Sequence, residues 1–195
     1  MAVTLNETPG SSRLHIGIFG KTNSGKSAFI NAFSGQAVSI VADVKGTTTD
    51  PVYKAMEIAP LGPCVLIDTA GFDDEGELGA MRMEKTALAA QKTELALILF
   101  ASEDMETELE WFRYFQGKKT PVILVVSKSD LRSEKENQTF AEKLREQTKE
   151  KVCIVSAKTG AGIKNIQALV QESCKEKIER DRKRGIVNQP VRAMV

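Results

Sequence analysis

The sequence predicts an α/β fold in three layers. Helices cover both faces of a six-stranded, mostly parallel sheet that carries one antiparallel edge strand. Three observations predict this. Strand-like apolar runs alternate with helix-like segments from about residue 14 to about residue 180, the pattern of parallel strands joined by helical crossovers. Two of the runs, Leu95-Ala96-Leu97-Ile98-Leu99-Phe100-Ala101 and Pro121-Val122-Ile123-Leu124-Val125-Val126, are apolar without alternation, as a strand covered on both faces requires. One pair of strand candidates, 52–59 and 64–68, is joined only by Pro60-Leu61-Gly62-Pro63, which leaves room for a hairpin and nothing longer. A chain of 195 residues is enough for one domain with one large core.

Taken in order, residues 1–12 are polar and turn-rich and read as a flexible N-terminal leader. Leu14-His15-Ile16-Gly17-Ile18-Phe19 is the first strand. A helix from Ser27 to about Ser34 follows the next loop, and Gly35 stops it. Residues 36–50 read as a long connection ending in Gly46-Thr47-Thr48-Thr49-Asp50, and a long loop in a compact domain is usually functional. Pro51 opens the hairpin. Thr69-Ala70-Gly71 begins the next loop, whose continuation Phe72-Asp73-Asp74-Glu75-Gly76-Glu77 is acidic and punctuated by glycine. Helices are predicted over 78–92, over 106–116 with Leu109, Phe112 and Phe115 on its apolar face, and over 137–149 with Phe140 and Leu144 inward. Trp111 suits the core or a partner, and the core is the reading adopted. Val152-Cys153-Ile154-Val155 is the last strand. The last helix covers 162–180, with Ile163, Ile166, Leu169 and Val170 on one side, and 181–195 reads as a C-terminal linker or chain end.

The loop after the first strand is Gly20-Lys21-Thr22-Asn23-Ser24-Gly25-Lys26-Ser27. Glycine, four residues, glycine, lysine and a hydroxyl residue, between a strand and a helix, form an anion site: a P-loop NTPase signature. Glycine lets the backbone bend around a phosphate with its N–H groups inward, and the helix N-terminus adds partial positive charge. Lys26 is expected at the β- and γ-phosphates and Ser27 at Mg2+, with Asn23, Ser24, Gly25 and Ala28 completing the cradle.

Two later loops add chemistry. In Asp68-Thr69-Ala70-Gly71, Asp68 can hold Mg2+ through water and the Gly71 amide can meet a γ-phosphate. Thr48, or next best Thr47, is placed to close the metal with its hydroxyl. A loop tied to the γ-phosphate by one threonine relaxes when that phosphate leaves. Lys26, Thr48 and Gly71 are the groups expected at the reacting phosphate. In Ser127-Lys128-Ser129-Asp130, a buried Asp130 carboxylate would accept the guanine N1–H and exocyclic amine, a donor pair that adenine lacks. Lys128 would lie over the base and brace the phosphate loop, and Ser156-Ala157-Lys158 would present a backbone N–H to the guanine oxygen. The ligands expected are therefore GTP and GDP, with Mg2+.

Composition narrows the partners. The net charge of +1 gives no bulk attraction to nucleic acid or membrane, and neither partner is expected. No run is long and apolar enough for a membrane span, so a cytoplasmic location is expected. Cys64, Cys153 and Cys174 are scattered and read as free thiols, and His15 lies inside a strand and reads as structural.

These motifs resemble the five guanine-nucleotide motifs of the translation-factor-like GTPases, over roughly residues 14–173. The GTPase domain is accordingly set at 13–180. Asn23 and the Gly46-Thr47-Thr48 loop resemble the group of Era, Der and the tRNA-modification GTPases. The stretch from Gly46 through Asp50-Pro51-Val52-Tyr53-Lys54-Ala55-Met56-Glu57, with Leu61-Gly62-Pro63 and Ile67 through Gly79, is similar to the GTPase domain of the HydF family, the maturation GTPases and scaffolds of FeFe-hydrogenase. That resemblance implies a slow GTPase switch and a longer protein with dimerisation and iron–sulfur domains, of which this chain would be the isolated GTPase module. It also implies hydrogenase maturases and apo-hydrogenase as partners, and allows self-association of the domain. An RNA-associated GTPase of tRNA modification or ribosome assembly is the alternative. The pairing of Asn23 with the Gly-Thr-Thr loop implies K+ beside the β–γ bridge, held partly by the Asn23 amide oxygen. Two departures stand out. Ser127 occupies a position that is usually asparagine, which implies weaker nucleotide holding. Phe72 stands where many signalling GTPases carry a water-orienting glutamine; Glu75 or Glu77 could position the water instead, but solvated loop acids are the reading adopted for both.

Overall fold

The computed structural model describes residues 14–35, 38–44, 52–58, 62–69, 71 and 77–183. Seven strands form one sheet: β1 (Leu14–Phe19), β2 (Val38–Val44), β3 (Val52–Ile58), β4 (Gly62–Asp68), β5 (Leu95–Phe100), β6 (Val122–Val126) and β7 (Val152–Ile154). Their spatial order is β2-β3-β4-β1-β5-β6-β7. The parallel register runs from β4 through β1, β5 and β6 to β7. The predicted fold class holds, and the sheet has one more strand than expected. Residues 38–44, expected within a long connection, pair antiparallel with β3 from Val38↔Ile58 to Val44↔Tyr53, with an irregularity between Ile40 and Ala42. β3 is itself antiparallel to β4, so it alone runs against the sheet, and it lies one place in from the edge that β2 occupies.

Five helices complete the layers: α1 (Lys26–Gly35), α2 (Glu77–Lys92), α3 (Glu106–Gly117), α4 (Glu134–Thr148) and α5 (Ile163–Lys183). Alternation along the strands sorts the core into two halves. Ile16, Ile18, Leu97 and Leu99 face α1 and α5 through Phe29, Phe33, Ile166 and Val170. Phe19, Ala96, Ile98 and Phe100 face α3 and α4 through Trp111, Phe112, Phe115 and Phe140. Val65, Ile67 and Ala89 join α2 to the same side. Trp111 is a core residue, stacked 5.5 Å from Phe19. Phe115 is fully buried against Phe19 at 4.8 Å, and its truncation to alanine would cost about 3–5 kcal/mol.

His15 is a structural residue in a backbone exchange with Glu94. Its N–H donates to the Glu94 carboxylate at 3.0 Å, and its carbonyl accepts from the Glu94 N–H at 2.9 Å. All three cysteines are buried free thiols, and burial pushes Cys64 up to about 12. No helix among the described residues is long and apolar enough to cross a membrane.

α4 starts earlier than predicted. Ser133 caps it, accepting from the Glu136 N–H, and Glu136 reaches back to the Ser133 N–H at 2.7 Å. This reciprocal box satisfies two otherwise orphaned donors and fixes where the helix leaves the preceding loop.

Candidate nucleotide-binding site

The C-terminal ends of β1, β4, β6 and β7 open on one rim of the sheet, where ligands of open parallel sheets bind. After β1 the chain turns through Asn23 at φ 60° and Gly25 at φ 93°, and α1 begins at Lys26. Asparagine tolerates the left-handed region better than most residues, and Gly25 adopts it at no steric cost. The turn is held from inside. The Lys26 amine, buried, donates to the carbonyls of Gly20 at 2.8 Å and Lys21 at 2.7 Å. The Ser24 N–H donates to the Lys21 carbonyl at 3.1 Å.

β4 delivers Asp68 to the same rim. The Ser27 hydroxyl donates to its carboxylate at 3.2 Å. Burial raises the Asp68 pKa, and the Ser27 hydrogen bond, Lys26 and Lys54 oppose that rise only in part. A half-buried carboxylate beside a hydroxyl is a hard-oxygen donor set with charge to offset, and it fits Mg2+. The Thr69 hydroxyl anchors the next turn to the Ile18 carbonyl at 2.6 Å. Gly71 then lies against the phosphate loop so closely that an added Cβ would fall 2.6 Å from the Thr22 Cα. Gly46, Thr47, Thr48, Ala70, Phe72 and Glu75 lie outside the described residues. Glu77 begins α2.

β6 is followed by Ser127, which is buried. Its hydroxyl donates to the Ser24 carbonyl in the phosphate loop at 2.8 Å. Serine thus bridges the two loops at this position, with a side chain shorter than asparagine's. Lys128 adopts φ 53°, and its aliphatic stem passes over Gly25, 3.7 Å from where a Cβ would sit. Asp130 lies in a short turn, Ser129–Leu131, and accepts from the Ser156 hydroxyl at 2.6 Å. That bond, with lesser help from Lys158 and Arg132, holds its carboxyl below the usual range and so ionised. Asp130 is exposed, not buried as expected, because it stands at the mouth of a cavity.

The cavity is about 250 Å³ and is walled by Phe29, Val155 and Ala157, with Asp130, Lys128 and Lys158 at its edge. A second, of about 400 Å³, lies over Asn23, Lys26 and Ser27, and the two share Gly25, Ala28 and Lys128. The structure thus brings together Asn23 through Ser27, Asp68, Gly71, Ser127, Lys128, Asp130, Ser156, Ala157 and Lys158. It also reveals supports that sequence reasoning missed. Asn137 donates to the Ser129 carbonyl at 2.9 Å, and Lys21 bonds Asp104 at 2.7 Å while standing 3.6 Å from the buried Glu108. The capping-box spacing Ser133–Glu136 could have located α4 and hence Asn137. Nothing local pointed to Lys21–Glu108.

The chain is similar to known proteins. The family described as 50S ribosome-binding GTPase matches residues 15–128. A GTPase Der of Wolinella succinogenes is 37% identical over 139 residues, which are 66% of this chain and 28% of that protein. A tRNA modification GTPase MnmE of Endomicrobium trichonymphae is 32% identical over 155 residues, 76% of this chain and 33% of that one. The chain spans about a third or less of these relatives. Among solved structures, Aquifex aeolicus Era bound to GDP and AlF4− superposes with a TM-score of 0.68 at 23% identity, covering 82% of this chain and 56% of that chain.

Proposed function

The chain belongs to the 50S ribosome-binding GTPase family, as a GTP-binding and GTP-hydrolysing P-loop domain of the Era, Der and MnmE group, and from that premise we propose that it works as a nucleotide-dependent switch. The observation that carries the reading is the pair of neighbouring cavities, one at the phosphate loop and one bounded by Asp130, that share Gly25, Ala28 and Lys128. Asp130, kept ionised by Ser156, accepts the two guanine donors, and Lys128 covers the base. Lys26 neutralises the β- and γ-phosphates. Ser27 and Asp68 would hold Mg2+, with Thr48, or Thr47, closing the metal from the segment after β2. The metal supplies positive charge at the phosphates where negative charge gathers in transfer. The Gly71 amide senses the γ-phosphate, and departure of that phosphate releases the segments that follow β2 and β4. With Phe72 unable to orient water, turnover is slow. Fluorescent-nucleotide titration tests this: GTP and GDP should far outbind ATP, and equal binding would end the reading.

A monovalent cation is part of the same proposal. Asn23, exposed on the phosphate loop at φ 60°, offers an amide oxygen beside Lys26 and Ser27. K+ there would add charge that no arginine in the loop supplies. GTP turnover should rise in potassium over sodium or choline salts, and Asn23→Ala should lose that increment while still binding GDP. Equal rates in all three salts would refute it.

For the assembly that reads the switch, the relatives' names support an RNA-associated role, in tRNA modification or ribosome assembly, better than hydrogenase maturation. The hydrogenase-maturation reading rests on the HydF-like stretch around residues 46–57 and 61–79, and the net charge of +1 gives it mild support against RNA. Capture of the native protein with bound GTP, followed by analysis for RNA and for radical maturases, separates the two.

A further inference from the structure

Arg132 lines neither of these two cavities, yet it joins three parts of the site's frame. Its guanidinium donates to the carbonyls of Ser127 at 2.5 Å and Ala101 at 2.8 Å, the residues just past the ends of β6 and β5. Its third contact, from Nε, goes to the Asn137 amide oxygen at 3.0 Å, and its plane lies 5.3 Å over the Phe140 ring. Asn137 in turn donates to the carbonyls of Ser129 at 2.9 Å and Arg132 at 3.3 Å. A planar fork with fixed donors can hold two strand ends and a helix at one mutual angle, which a lysine cannot.

We infer that Arg132 is the positioning residue for guanine selection, fixing the Ser127–Asp130 turn between α4 and the phosphate loop. The link matters here because residue 127 is serine. Its bridge to the phosphate loop is a single hydroxyl bond, Ser127 to Ser24, whose reach depends on where the Ser127 backbone is held. Arg132 holds that backbone at the Ser127 carbonyl. Asn137 holds the same turn two residues later, one residue before Asp130. The chain Phe140–Arg132–Ser127–Ser24 therefore carries the helix position into the phosphate loop, and Asp130 rides on it. An asparagine at 127 would reach the phosphate loop with a longer side chain and relax the need for this clamp.

The inference rests on Asp130 reading guanine, and the experiment separates the two. GDP dissociation and the GTP-over-ATP preference would be measured for wild type, Arg132→Lys, Arg132→Ala, Ser127→Asn and the double variant Arg132→Ala/Ser127→Asn. Wild type without guanine preference would sink the site reading itself. Given that preference, Arg132→Ala should release GDP at least ten-fold faster and narrow the preference, Arg132→Lys should recover little, and Ser127→Asn should restore slow release to the alanine variant. Wild-type release by Arg132→Ala, or no rescue in the double variant, would overturn the inference. Should Arg132→Ala fail to fold, Asn137→Ala removes the Nε partner at the other end of the clamp and should likewise speed GDP release, with slow release restored by Ser127→Asn; wild-type release or no rescue would overturn the inference.

Discussion

Gly71→Ala asks how tightly the γ-phosphate sensor is set against the phosphate loop. The new methyl would lie 2.5 Å from the Thr22 nitrogen and 2.6 Å from its Cα, where ordinary contact begins at 3.4 Å. Something must retreat by about 1 Å, and a gap of that size at a reacting centre costs about a hundred-fold in rate. The phosphate loop is the stiffer side, pinned by Lys26 to two carbonyls and by Ser127 to Ser24. On the other side the anchor seen among the described residues is Thr69 to Ile18. Gly71 therefore moves, and its amide leaves the γ-phosphate while the base end is untouched. Single-turnover GTP hydrolysis should fall about a hundred-fold, while GDP affinity stays within about three-fold and the protein loses no more than about 1–3 kcal/mol of stability. Wild-type hydrolysis would show that Gly71 does not sense the phosphate. An equal loss of GDP affinity would show that the phosphate loop yields instead.

Other outcomes follow from the same geometry. Asp68 has a folded pKa above its unfolded value, so its stabilising contribution is full below the unfolded pKa and is lost as pH rises through the folded one. Without Mg2+, Asp68→Asn should thus raise the melting temperature at neutral pH, by an amount that vanishes on acidification into the carboxylate range, and should abolish stabilisation by Mg2+ with GDP. Lys21→Met strands Glu108, which is 2% exposed, and should cost about 2 kcal/mol in urea unfolding, with most of it recovered by adding Glu108→Gln. Asp130→Asn replaces one acceptor oxygen with a donor, and competition binding should move its preference from guanine toward xanthine nucleotides.

Much of the fold was legible because its signals are local. The unbroken apolar runs of β5 and β6 and the glycine loop ahead of α1 each carry their meaning within ten residues. β2 was lost because Gly46-Thr47-Thr48 drew the whole of 36–50 into one loop, although Val38, Ile40, Val41 and Val44 favour a strand. The early start of α4 was written in Ser133 and Glu136 and passed over. The Ser127–Ser24 bridge could not be read at all: it spans 103 residues and depends on how far two backbones stand apart, which side-chain identity does not specify. The same holds for the exposure of Asp130, which follows from the shape of a cavity mouth.

The sheet's polarity has a practical use. Every nucleotide-facing loop leaves one rim, and the turn from α3 to β6 sits at the other, about 20 Å away along the six residues of β5. A Cβ at Gly117, the last residue of α3 beside that turn, meets nothing within 4 Å. The three native thiols are buried, so a cysteine introduced at Gly117 would be the reactive one. A surface-immobilised or dye-labelled molecule attached there would face its mouth to the solution, and a binding or release trace recorded from it would come from one uniform orientation.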